Sequence, residues 1–120
     1  MDKVEFSTVW CDELPADVNT NTRVGSIAGW RAEFSTDFKH AYRAAMTVRY
    51  FFQRYAVVLD GVHWKVFSTA VKLTFTMDTS LPLALCRAIC KYDAIRRQYG
   101  HEWWDDGLVA LEGDEHFQPA

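Results

Sequence analysis

Apolar residues recur along this chain at two different periods, and the switches between them set the expected elements. Val4-Glu5-Phe6-Ser7-Thr8-Val9-Trp10-Cys11 alternates with a period near two and is rich in strand-favouring residues, so residues 4–11 are expected to form a strand with one face on a core. Residues 12–26 hold Pro15, Asn19, Asn21 and Gly25 with little periodicity and read as a long connection or flap, a natural place for a contact surface. Residues 27–34, around Trp30, are expected to form a second short strand.

From residue 38 the period lengthens. Positions 38, 41, 42, 45, 48, 52, 55 and 56 fall on one face of a 3.6-residue repeat, which predicts an amphipathic helix capped by Ser35 or Thr36, with Asp37 suited to its positive end. Lys39, Arg43, Tyr50 and Arg54 fall on the opposite stripe, while Arg49 sits at the edge of the apolar sector and needs water or a fixed partner. Helix yields near residue 56, because Val57-Val58-Leu59, Asp60-Gly61 and Val62-His63-Trp64-Lys65-Val66 read as a hairpin around a type I′ turn. Val71, Leu73, Phe75 and Met77 then alternate with Lys72, Thr74 and Thr76 in a further strand, preceded by a bulge or turn at Ser68-Thr69.

A second helix is expected after Thr79 or Ser80, with Pro82 in the first turn, where its missing N–H has no intrahelical role, and Gly100 as the stop. Leu81, Leu85, Ala88, Ile89, Tyr92, Ile95 and Tyr99 make its core stripe. Its back carries Leu83, Cys86, Cys90 and Ala94, broken by an Asp93–Arg97 pair at helical spacing. Those back positions are either scattered surface groups or a contact covered by a second helix, a second subunit or a partner. A short strand is expected at 108–111. This order predicts an α+β fold, a mainly antiparallel sheet with two amphipathic helices on one face, loosely ferredoxin-like with additions.

Composition narrows the class. The 120 residues are 49% hydrophobic and 15% aromatic, which excludes disorder and collagen-like sequence, and residues 1–120 are expected to make a single compact domain with the last nine residues solvated or frayed. The net charge of -3 argues against a surface given over entirely to nucleic acid. Its distribution is uneven: residues 1–35 carry three basic and six acidic side chains, residues 36–100 ten and four, residues 101–120 none and six. The acidic end suits a basic partner or a fold back over the basic middle. No run approaches the roughly 18–20 apolar residues of a spanning helix, so no membrane association is expected. Cys11, Cys86 and Cys90 are odd in number and do not resemble an extracellular disulfide framework, so a cytoplasmic location is expected.

Candidate chemistry is thin. Cys86 and Cys90 stand one helical turn apart, with His63 or His101 as the candidates to join them, but structural zinc needs four converging ligands; no metal is expected. Asp105 and Asp106 lack a second acidic or histidine motif, and Gly25-Ser26-Ile27-Ala28-Gly29 lacks the placement of a dinucleotide loop, so no cofactor and no catalytic residue is assigned and the chain is expected not to be an enzyme.

Binding is better supported. In His101-Glu102-Trp103-Trp104-Asp105-Asp106-Gly107, adjacent tryptophans in extended chain face opposite ways, so one packs inward while the other meets a partner inside an acidic border. The expected function is a protein-binding module, a small inhibitor anchored by Trp103 or Trp104 that occludes a basic, nucleic-acid-handling partner surface with Glu102, Asp105, Asp106, Glu112, Asp114 and Glu115. Two alternatives stand beside it: an RNA- or DNA-binding accessory protein using Lys39, Arg43, Tyr50 and Arg54, and a small hydrolase without a recognisable motif. Leu83, Cys86, Cys90 and Ala94 form a candidate second interface, for a homodimer or a partner.

Overall fold

Five helices and three strands run through residues 8–48, 50–69 and 72–99, the residues that the computed structural model describes. They make a small α+β unit whose sheet is three-stranded, antiparallel and unclosed, in the order β1-β2-β3. The expectation of a mainly antiparallel sheet carrying two helices is overturned: among the described residues helix content is 53% against 19% for sheet. The difference arises chiefly at the amino-terminal end, where two strands and a loop were expected and two helices stand instead.

Helix α1 spans Val9–Asp12 and α2 spans Val18–Ala28. Of the strand expected at 4–11, residues 4–7 lie outside the described residues and the remainder leads into α1. The segment read as a loop becomes α2 because Asp17 caps it, its Oδ1 accepting from the Thr20 N–H at 3.0 Å, and because Thr20, Val24 and Gly25 are buried. A Cβ on Gly25 would stand 2.7 Å from the Trp30 carbonyl oxygen, so the return of the chain after α2 requires a bare backbone there. Gly25→Ala is therefore expected to destabilise the fold by about 2 kcal/mol, measured by urea denaturation. Residues 27–34 are not a strand: α2 runs on to Ala28, Gly29 closes it in a left-handed conformation, and the following loop buries Phe34 with the Trp30 ring edge-on at 4.7 Å.

The long helix expected from residue 38 is two, α3 at Phe38–Thr47 and α4 at Phe51–Arg54. Its cap is Asp37, whose Oδ1 accepts from the His40 N–H at 3.2 Å, because the Ser35 N–H and hydroxyl both donate to Asn21 Oδ1 at 2.8 and 2.7 Å. The break has a local cause. The Thr47 hydroxyl donates to the Ala44 carbonyl at 2.6 Å, and the Val48 N–H turns to Ala45 instead. Arg49 lies outside the described residues.

The expected hairpin is present as β1 (Tyr55–Asp60) and β2 (His63–Ser68), with Asp60 opposite His63. Its loop is Gly61-Val62, one residue later than expected, and the positive φ of 63° at Gly61 but not at Val62 is the sign pattern of a II′ connection. Strand β3 (Thr74–Asp78) pairs with β2 through a register shift at Val66/Phe67. Its expected two-faced pattern fails: Thr74 and Thr76 are buried along with Phe75, while Met77 is exposed.

Helix α5 (Leu81–Tyr99) is the hub, packing on β2 and β3 and also on α1, α2 and α3. The Ser80 carbonyl accepts its first intrahelical bond from Ala84, in line with the expected boundary. Around it sit the fully buried Phe34, Phe51, Tyr55, Phe75, Leu85, Ile89 and Ile95, with the Tyr55 and Phe75 rings stacked at 4.6 Å. Arg87 ties α5 to β3 and to the segment after α1, donating to the Leu14 carbonyl at 2.9 Å and to Asp78 Oδ1 at 3.0 Å. No helix among the described residues is long and apolar enough to cross a membrane.

Candidate interaction surface

Helix α3 distributes its apolar residues in an unusual way. Its buried side is made of small groups, Ala41, Ala44 and Ala45, continued by Val48, which let α3 lie close against α5. Its large apolar groups face out: Phe38, Tyr42 and Met46, spaced four residues apart, are 45%, 42% and 61% exposed. The apolar set expected to be core therefore divides, with positions 41, 45, 48 and 55 buried and 38, 42 and 52 exposed.

The outer residues form one stripe. The Phe38 and Tyr42 ring centroids are 5.7 Å apart, and Tyr42 and Phe52 are 5.0 Å apart with their planes inclined at 31°. Phe52 in turn meets the buried Phe51 edge-on at 5.1 Å, so α4 anchors the far end of the stripe to the core. Helical spacing puts Lys39 and Arg43 along the margin opposite the alanines. The Arg43 guanidinium lies 5.6 Å from the Trp30 ring centroid and Arg54 lies 5.9 Å from that of Tyr50. Lys39, Arg43 and Tyr50 are exposed and Arg54 is half-buried, but the break between α3 and α4 divides the stripe read from the sequence, leaving Lys39 and Arg43 on α3 and Tyr50 and Arg54 at α4. Tyr50 holds a left-handed φ of 67°, which sets the turn between α3 and α4.

The other sequence-derived sites fare differently. Glu102, Trp103, Trp104, Asp105, Asp106 and Glu112 lie outside the described residues, as do Asp114, Glu115 and the strand expected at 108–111. Leu83, Cys86 and Cys90 are buried and Ala94 is half-buried against the core. Helices α1 and α2 pack on α5, which is the second-helix alternative for that face. The Asp93–Arg97 pair is present at 2.7 Å, with Arg96 on the other carboxylate oxygen at 3.1 Å.

Comparison of the chain with protein-family models, curated proteins and solved structures gives no match. The chemistry is thus read from the side chains alone. Burial pushes all three cysteine thiols up, Cys90 to about 12, so they stand as neutral thiols at physiological pH. Cys11, Cys86 and Cys90 form no disulfide. Among the described residues no group of three or more His, Cys, Asp or Glu side chains is placed to hold a metal ion.

Proposed function

We propose that this chain is a protein-binding module that lays the Phe38–Tyr42–Met46 stripe of α3, extended by Phe52, into an apolar groove of a partner protein. The observation that carries this is the inversion of α3: alanines serve the interior, while rings that would ordinarily fill a core are left outside. Apolar groups one turn apart on a helix are the spacing by which helices anchor in grooves. The cationic margin of Lys39 and Arg43 favours a groove with an acidic rim.

The test is affinity capture with the native chain and with Phe38→Ser/Tyr42→Ser, two exposed positions whose replacement leaves the interior untouched. Proteins retained by the native chain are expected to be lost by the variant, and with an identified partner each truncation should weaken binding by about 2 kcal/mol, roughly thirtyfold. Retention by the variant at full strength sinks the proposal. The basic border also suits a single-stranded nucleic acid, whose bases would stack on the same rings. Titration with single-stranded and duplex oligonucleotides at low salt separates the two, since a flat response removes that reading.

The inhibitor reading, in which Trp103 or Trp104 anchors an acidic segment against a basic partner, draws its support from the sequence. Adding Trp104→Ala to the same capture experiment distinguishes it from the α3 stripe. Three buried, unbridged cysteines support a reducing compartment such as the cytoplasm.

A further inference from the structure

A second feature of the molecule is unrelated to the aromatic stripe. Between α1, α2 and α5 lies an open cleft of about 390 Å³, within the range of small-molecule sites. Trp10, Ile27 and Ala94 supply apolar wall, and the Cys90 thiol, neutral because burial pushes it up to about 12, adds no charge. Two guanidiniums and one carboxylate also line the cleft.

Their states differ. Asp93 already takes Arg97 Nε on one oxygen at 2.7 Å and Arg96 on the other at 3.1 Å, so its charge is matched. Arg23 lies with its guanidinium carbon 5.0 Å from the Trp10 ring centroid. Among the described residues it has no carboxylate within ion-pair distance and donates no hydrogen bond to the protein. An exposed guanidinium held against a ring at the edge of an apolar cleft places an unmatched positive charge beside an apolar wall. The complement of that arrangement is a molecule with an apolar body and a single negative charge.

We propose that this cleft binds a small amphipathic monocarboxylate, with its apolar body against Trp10, Ile27 and Ala94 and its carboxylate on Arg23. The Asp93 carboxylate, held by Arg96 and Arg97, leaves Arg23 available. The site makes no covalent bond and moves no proton; it is a binding site only.

Phenylacetate is the probe, with the isosteric and neutral phenylacetamide as control, followed by two-dimensional amide and indole NMR on the full chain. Saturable shifts at Trp10, Arg23 and Ile27 are expected with phenylacetate, and affinity for phenylacetamide should be at least about tenfold weaker. Arg23→Gln is expected to remove that preference, with a loss of about tenfold or more, while Arg31→Gln, at an exposed position outside the cleft, leaves it unchanged. Equal affinity for acid and amide overturns the proposal on the native chain, independently of any variant. So does an absence of saturable shifts in the millimolar range, or full phenylacetate affinity in Arg23→Gln.

Discussion

Replacing Asp12 by alanine is expected to destabilise the fold by about 3 kcal/mol, and adding Lys91→Met to that variant is expected to restore most of the loss. Lys91 is fully buried, its Nζ donating to the Phe75 carbonyl at 2.8 Å and lying 3.3 Å from both oxygens of Asp12. Its charge also sits 4.9 Å from the Phe75 ring centroid. Burial holds the Lys91 ammonium below the ordinary lysine range and pushes the Asp12 carboxyl up, with each partner pulling the other back. The two ends of the pair are unequally placed: the Lys91 side chain is 0% exposed and that of Asp12 is 23% exposed. Removing the carboxylate strands a cation in the interior, whereas removing the ammonium leaves an anion that water can reach. Denaturant unfolding of the two single variants and the double one checks this. Equal losses from Asp12→Ala and Lys91→Met that add in the double variant would show that the pair acts as two separate packing groups.

Stability is expected to fall steeply above about pH 9 under reducing conditions. All three thiols have folded-state pKa values raised by burial, so their contribution is fully present below the ordinary thiol range and is lost as pH rises beyond it. Each thiol that ionises only in the unfolded chain costs about 1.4 kcal/mol per pH unit, about 4 kcal/mol for the three together. Lys91 works in the opposite sense: its folded pKa is depressed, so between that value and the ordinary lysine range stability rises by about 1.4 kcal/mol per unit. The net expectation is a loss of stability between pH 9 and pH 10, carried by the three thiols and offset in part by Lys91, with buried Tyr55, also raised, adding to it at higher pH. Urea denaturation at pH 7, 9 and 10 measures this, and Cys86→Ala should remove about a third of the thiol contribution to the slope. A level profile through pH 10 would mean that the thiols reach water in the native state.

What was legible in the sequence follows from how each element is held. The hairpin and α5 were legible because their signals are local: Gly61 at the turn, Ser80 and Pro82 at the helix start, and a strict apolar stripe from Leu85 to Ile95. Helices α1 and α2 were hidden. Val9, Trp10 and the Asn and Thr residues of α2 have weak helix propensity, and what secures them is the Asp17 cap and burial against α5. The trace of that packing was the apolar back of α5, for which a covering helix was one of the expected explanations. On α3 the period was right and the inward face misplaced, because aromatic residues outweigh alanine in any hydrophobicity pattern. The signal that would have found the surface is Ala41, Ala44 and Ala45 at helical spacing, since a run of small groups marks the side where another helix comes close.

The Arg87 contact to the Leu14 carbonyl spans 73 positions of sequence, and the Lys91 contact to Asp12 spans 79. Helices of four and eleven residues are marginal on their own in water. During synthesis α1 and α2 leave the ribosome before the hairpin and well before α5, yet the groove that receives them does not exist until α5 has wound. These earlier-made segments are thus seated only once α5 has formed, and until then the nascent chain carries their apolar sides unshielded.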